Sequence, residues 1–293
     1  MDVEPVVIAS EVAYDGTRYA GWARQERDTT IQGLLAGALE QVFLRRLPET
    51  HLVLHGASRT DAGVHALGQV ASFVLGSDRT GGRQATAPHA SGESVDLARA
   101  MTSLASMLPA DVRVLRMGVA PPGFDARRSS IGKRYRYHMS LGRSCSPFLS
   151  RYVLEVPVRT DPEPMREAAA ALLGDVDMRA FMARAGHEGP APRAIKGSSL
   201  RLDERMGVWV YEIEASGFLR HAVRRIVGTL LMAGQGKLSP RDVQEIAREG
   251  RSVDAGPTVP PHGLFLWEVL YPEGTLPWTA ADRAADLLTF PGL

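Results

Sequence analysis

Gly56-Ala-Ser-Arg-Thr-Asp61-Ala-Gly-Val-His65-Ala-Leu-Gly-Gln-Val70 sets one carboxylate among glycines, a cation and a hydroxyl. It lies between two runs that read as strands, His51-Leu-Val-Leu-His55 and Gln69-Val-Ala-Ser-Phe-Val-Leu75. Asp61 therefore falls on a connection, where functional residues concentrate. Gly56, Gly63 and Gly68 open backbone angles closed to other residues and let a ligand come close. A lone Asp in such a loop is as readily a turn former or a helix cap, so the stretch alone leaves both readings open.

Working outward, Val6 to Tyr14 reads as a strand and runs into the turn-rich Asp15-Gly-Thr-Arg-Tyr-Ala-Gly-Trp22. Ile31, Leu34, Leu35, Ala38, Leu39, Val42 and Phe43 follow helical spacing, with Thr30 as N-cap and Pro48 past the end. His51 and His55 have the spacing of metal ligands on a helix, but the alternating run around them predicts a strand and no third ligand is evident, so no metal is expected. Residues 76–93 are poor in bulky apolar side chains and predict a flexible insertion. A second helix is expected from Ser94, with Leu97, Met101, Leu104 and Leu108 inward, followed by a strand over Asp111 to Val119.

In the second half, a strand over Lys133 to Met139 puts Tyr135 and Tyr137 on one face and Arg134 and Arg136 on the other. Such interleaving suits base stacking and phosphate binding, or equally an amphipathic strand with core tyrosines. Asp161-Pro162 opens a helix expected to end at Gly174. Ser198 to Leu202 and Val208 to Ala215 read as paired strands. Leu219, Val223, Ile226, Val227, Leu230 and Leu231 form a helical apolar stripe, on which Arg220 and Arg224, four apart, face the same way. Ser239-Pro240 opens a helix to about Arg248, a Pro-rich loop from Ala255 enters a strand ending near Tyr271, and Thr279 to Leu288 predicts a short terminal helix.

Both halves thus read strand, helix, strand, strand, helix, strand, the ferredoxin-like order. The fold class expected is α+β, with two ferredoxin-like (βαββαβ) halves forming a continuous, mainly antiparallel sheet, helices on one side and a positive cleft on the other. The boundaries are 1–121 for the half carrying the Asp61 loop and 122–293 for the half carrying Tyr135 and Arg224.

The chain has 293 residues, 44% hydrophobic and 23% charged, the makeup of an ordinary soluble globular protein. Its single cysteine, Cys145, excludes an internal disulfide and a cysteine-based zinc site and fits a cytoplasmic setting. Neither a leader peptide nor a membrane span is read. The net charge of +1 argues against indiscriminate nucleic-acid coating, although Arg127 to Arg136 and Arg220 to Arg225 are locally basic.

The run Arg59-Thr60-Asp61-Ala62-Gly63-Val64-His65-Ala66 resembles the signature of the TruA family of tRNA pseudouridine synthases. Further blocks resemble the family in order. They are Tyr14-Asp-Gly-Thr17 with Gly21-Trp22 and Gln25, Phe124-Asp-Ala-Arg127 with Lys133-Arg-Tyr135-Arg-Tyr137, Gly174 to Phe181 with Arg193 to Ile195, Gly217 to Leu231, and Ala255 to Tyr271. Ala23 stands where the family usually has Gln, and Val176 and Met178 stand where it tends to have His and Phe.

The resemblance implies a homodimeric isomerase converting uridine to pseudouridine at positions 38 to 40 of the tRNA anticodon arm, with no cofactor and no metal. It implies Asp61 as the catalytic carboxylate and Tyr135 against the flipped base. Arg224 would pair with Asp61 and favour its ionised form, and Arg59, Thr60 and Arg127 would bind substrate. Phosphates would be met by the two basic clusters. Two other readings stand beside it, a catalytically silent RNA-binding module and an Asp61/His65 hydrolase of a small glycoside. The hydrolase lacks an evident second carboxylate.

Overall fold

The computed structural model describes residues 5–44, 52–75, 96–182 and 191–279. The protein is mixed α+β with mostly antiparallel strands, and it divides into two compact units, one running to Ile131 and resumed from Val269, the other Gly132–Glu268. The expected insertion at 76–93 and the expected helix at Thr279 to Leu288 lie, but for Thr279 itself, outside the described residues.

The first unit is built on β1 (Val6–Tyr14), which pairs antiparallel with β3 (His65–Leu75) on one side and β4 (Val112–Val119) on the other. β2 (His55–Gly56) pairs with β3, giving the order β4-β1-β3-β2. Of the strand expected over His51 to His55, His51 lies outside the described residues and only His55 enters β2, for a local reason. Leu52 N donates to Glu40 Oε1 at 3.0 Å and Leu54 O accepts from Gln32 Nε2 at 2.7 Å, so side chains of α1 (Ile31–Phe43) take the main-chain groups a ladder would use. α1 starts where its sequence predicts, with Thr30 Oγ1 accepting from Gly33 N and Ile31, Leu35 and Leu39 fully buried. α2 (Leu97–Met107) is capped by Asp96 and buries Ala100 and Leu104. One charge lies deep in this unit. Glu11 is 1% exposed and pairs with Arg116, a pair of the kind that is costly to break from one side.

The second unit orders its strands β10-β5-β9-β8-β7. These are β5 (Gly132–Leu141), β7 (Gly174–Asp177), β8 (Pro192–Asp203), β9 (Val208–Ala215) and β10 (Leu264–Leu270), whose last residues belong to the first unit. β6 (Leu154–Val156) runs parallel to β5. α3 (Pro162–Ala170) packs on β8 and on α4 (Ala222–Gly234) and α5 (Pro240–Glu249). α5 carries a full capping box, Ser239 and Asp242 each bonding the other's backbone.

Strands β3 and β8 begin earlier than expected, at His65 and Pro192, and two helices of the second unit have other bounds. α3 ends at Ala170, and Gly174 opens β7 instead of closing the helix. α4 begins at Ala222, because His221 adopts the left-handed region (φ 64°) and Ala222 N closes a turn back to Leu219 O. Arg220 and Leu219 therefore precede the helix, and Arg220 does not share a helical face with Arg224. Among the described residues no helix is long and apolar enough to cross a membrane.

Candidate active site

Asp61 sits on the turn that leads into β3, half-buried, with its carbonyl accepting from Val64 N at 3.1 Å. The loop after β1 holds this turn at several points. Trp22 N donates to Thr60 O at 3.1 Å, Gly63 N to Tyr19 O at 3.3 Å, and Gly16 N to His65 Nδ1 at 3.1 Å. Gly16 has no alternative, since a Cβ there would stand 2.0 Å from Val64 O. Thr60 is 7% exposed, and its hydroxyl meets the Tyr14 phenol at 2.8 Å. On the other flank the Gln69 amide accepts from Ser58 N at 3.1 Å and donates to Ser58 O at 2.7 Å. The backbone of Arg59-Thr60-Asp61 is thus fixed from both sides, with Asp61 half-buried between the exposed Arg59 and Ala62. His65 is 1% exposed and turned to the Asp15-Gly16 corner, so it is not an open acid or base beside Asp61.

The supporting loop is itself anchored. Asp111 accepts from Tyr19 O–H at 2.6 Å and from Arg18 Nη2 at 2.6 Å. Burial first, and the Asp111 bond second, push the Tyr19 phenol up to about 12. Burial acts to raise Asp111, but the Tyr19 and Arg18 bonds outweigh it and hold that carboxyl below its usual value.

Arg59 and Arg127, far apart in sequence, come together on a cleft of about 410 Å³. Trp22, Ala23, Arg24, Gln32 and Arg128 line it with them. The walls are tied down through their main chain. Gln32 accepts from Arg24 N at 2.9 Å, and Asp125 Oδ1 accepts from Arg127 N at 2.9 Å and Arg128 N at 2.8 Å. Among the described residues none of the four arginine side chains makes an ion pair, and all four are exposed. Sequence reasoning included Arg128 in its first basic cluster but missed Arg24, which only the fold brings beside it.

In the second unit Tyr135 is 6% exposed and meets Phe218 edge-on, ring centroids 5.1 Å apart at 87°. Tyr137 is fully buried and donates to Pro260 O at 2.8 Å; burial raises its phenol, with the Arg224 charge acting the other way. Arg224, on the first turn of α4, donates from Nε to Val259 O at 2.7 Å. α4 lies directly on the loop before β10. A Cβ on Gly228 would stand 2.0 Å from Pro257 O, and one on Gly256 would stand 2.4 Å from Gly228 C.

Other members of the basic clusters expected to meet phosphates are engaged within the protein. Arg134 bonds Glu214 at 2.7 Å and Glu268 at 2.9 Å, while Arg136 bonds Glu212 at 2.5 Å and lies 3.7 Å over the Trp267 ring. Arg225 donates to Gly256 O, Ser252 O, Ser252 Oγ, Ala255 O and Met182 O, and burial lowers its affinity for its proton. Strand register sets the pairs with β9, where Glu212 stands opposite Arg136 and Glu214 opposite Arg134. Val176 and Met178 are buried at 4% and 0%, so both are packing residues. Among the described residues no three His, Cys, Asp or Glu gather into a metal site.

Comparison with known proteins bears on this geometry. The model of a family described as tRNA pseudouridine synthase matches residues 11–97 and 168–272. A protein of Myxococcus xanthus named tRNA pseudouridine synthase A is 38% identical over 89% of this chain and 90% of its own. Proteins of the same name from Geobacter sulfurreducens and Thermodesulfovibrio yellowstonii are 36% and 32% identical, over 88% and 91% of this chain and 96% and 100% of theirs. With the family model covering both units and the Asp61 turn within its first segment, the chain belongs to the tRNA pseudouridine synthase family.

Proposed function

We propose that the protein isomerises uridine to pseudouridine at positions 38 to 40 of the tRNA anticodon arm, as a cytoplasmic homodimer, with Asp61 as its catalytic carboxylate. In this reading each half is a ferredoxin-like fold. The strand orders β4-β1-β3-β2 and β10-β5-β9-β8 support it, each placing the last strand beside the first and the second beyond the third, with β7 added outside β8 in the second unit. The observation that carries the reading is the Asp61 turn, a half-buried aspartate on a backbone braced by Thr60, Gly63 and His65.

The reaction breaks the bond from C1′ to N1, turns the base and joins C1′ to C5. The C5 proton is lost and N1 gains one, so no atoms are exchanged overall and no electrons change hands. Asp61 acts on C1′, on C6 or on the C2′ proton. All three roles need an ionised carboxylate, for which Arg224 is the proposed partner. Everting the base costs roughly a few kcal/mol, which Tyr135 packing against it offsets in part. Arg59, Thr60 and Arg127 position the strand.

The test is direct. Purified protein incubated with an unmodified tRNA transcript, followed by mapping at nucleotide resolution, yields pseudouridine at 38 to 40. Asp61→Asn binds tRNA within a few-fold of wild type and loses activity on the order of 10³-fold or more. A wild-type protein that yields no pseudouridine in any tRNA refutes the proposal.

A further inference from the structure

The cleft walled by Arg24, Arg59, Arg127 and Arg128 presents four guanidinium groups against one carboxylate, Asp125. That carboxylate is already occupied by the Arg127 and Arg128 amides and lies 3.4 Å from His55 Nδ1. The backbone beneath the arginines is held before any ligand arrives. Beyond the Gln32 and Asp125 bonds, Ala126 N donates to Ser72 Oγ at 2.9 Å and Asp125 N donates to Ser129 Oγ at 3.1 Å. A fixed frame with unpaired guanidiniums fits a polyanion with planar, bidentate acceptor edges. A second hollow of about 270 Å³ shares His55, Asp125 and Arg128 with the first and is walled by Phe73, Val74 and Phe124. Cationic surface followed by apolar surface matches the alternation of phosphate and nucleoside along a nucleic-acid strand.

We infer that this cleft seats phosphodiesters of the RNA strand outside the reacting nucleotide, with Arg24 and Arg128 as positioning residues. The inference rests on the proposed tRNA reading, adds Arg24 to it, and singles out Arg128 from the basic run Arg127 to Arg136. Because Arg59 also lines the cleft and is two residues from Asp61, a phosphate seated there sets the register of the strand against the carboxylate.

The experiment compares the full chain with Arg24→Gln/Arg128→Gln, using an unmodified tRNA transcript at several salt concentrations. The double variant is expected to raise KM about tenfold, with kcat within about twofold of wild type. The slope of log affinity against log salt should fall by about one per arginine removed. Arg24→Lys/Arg128→Lys keeps most of the slope but not the KM, because lysine keeps the charge without the fork. Arg99→Gln, an exposed arginine on α2 that does not line the cleft, changes neither value. An active double variant with wild-type slope and KM overturns the cleft assignment and leaves the proposed activity standing. A wild-type protein that makes no pseudouridine overturns both.

Discussion

Arg134 and Arg136 on β5 and the four arginines of the cleft look alike in sequence, yet the protein uses them oppositely. On β5 each guanidinium faces a glutamate supplied by strand register, Glu214 and Glu212, and Arg134 gains Glu268 as well. Around the cleft the local acid, Asp125, bonds the backbone of Arg127 and Arg128, and among the described residues none of the four side chains has an ion pair. The number of cations in a segment therefore says little about the charge it offers a partner. What decides is whether a carboxylate sits at the paired position on the next strand.

Three substitutions sharpen or break that contrast. The largest effect belongs to Arg225→Ala, which strips several main-chain carbonyls of their donor. We expect a loss of about 2 to 4 kcal/mol in urea unfolding, with Arg225→Lys recovering only part because it lacks the planar fork. Next, Arg136→Met should lose about 1 kcal/mol as the Glu212 and Trp267 contacts go. Its tRNA affinity should keep the wild-type salt slope, the reverse of the cleft double variant. If Arg136→Met flattens the salt slope instead, the division into engaged and available arginines fails.

The smallest effect concerns Arg18, the first unit's example of an engaged surface arginine. Its partner Asp111 is held below its usual value in the folded protein, so its contribution is present above pH about 4 and lost as pH falls through the lowered value. Asp111→Asn should flatten the acid limb of a urea-midpoint series run from pH 7 to pH 3. An unchanged acid limb would show that this carboxylate does not couple to folding.

Local rules that act over a turn were readable. Thr30 and Ser239 with Pro240 mark helix starts where the structure has them, and β1 spans Val6–Tyr14 as its pattern predicts. The Asp61 stretch was readable as a connection, and Gly16, in the loop after β1 that braces it, shows why. The constraint is main chain against main chain, which leaves a residue-type trace. Side-chain competition was not readable. Glu40 and Gln32 shorten β2 from a neighbouring helix, and Glu212, Glu214 and Glu268 neutralise arginines more than 70 residues away. His221 carries no composition signal for the left-handed backbone that sets Arg220 outside α4. These depend on partners that only the folded chain brings near.

The contact between Gly228 and Gly256 bears on how Arg224 can be tuned. Each hydrogen there faces backbone atoms, so a methyl on either has no rotamer by which to escape. Evolution of this surface can exchange side chains around the helix but cannot thicken the seam beneath it. The guanidinium at 224 therefore inherits its depth from two missing methyls, and an alanine at either position would lift the helix and its charge together.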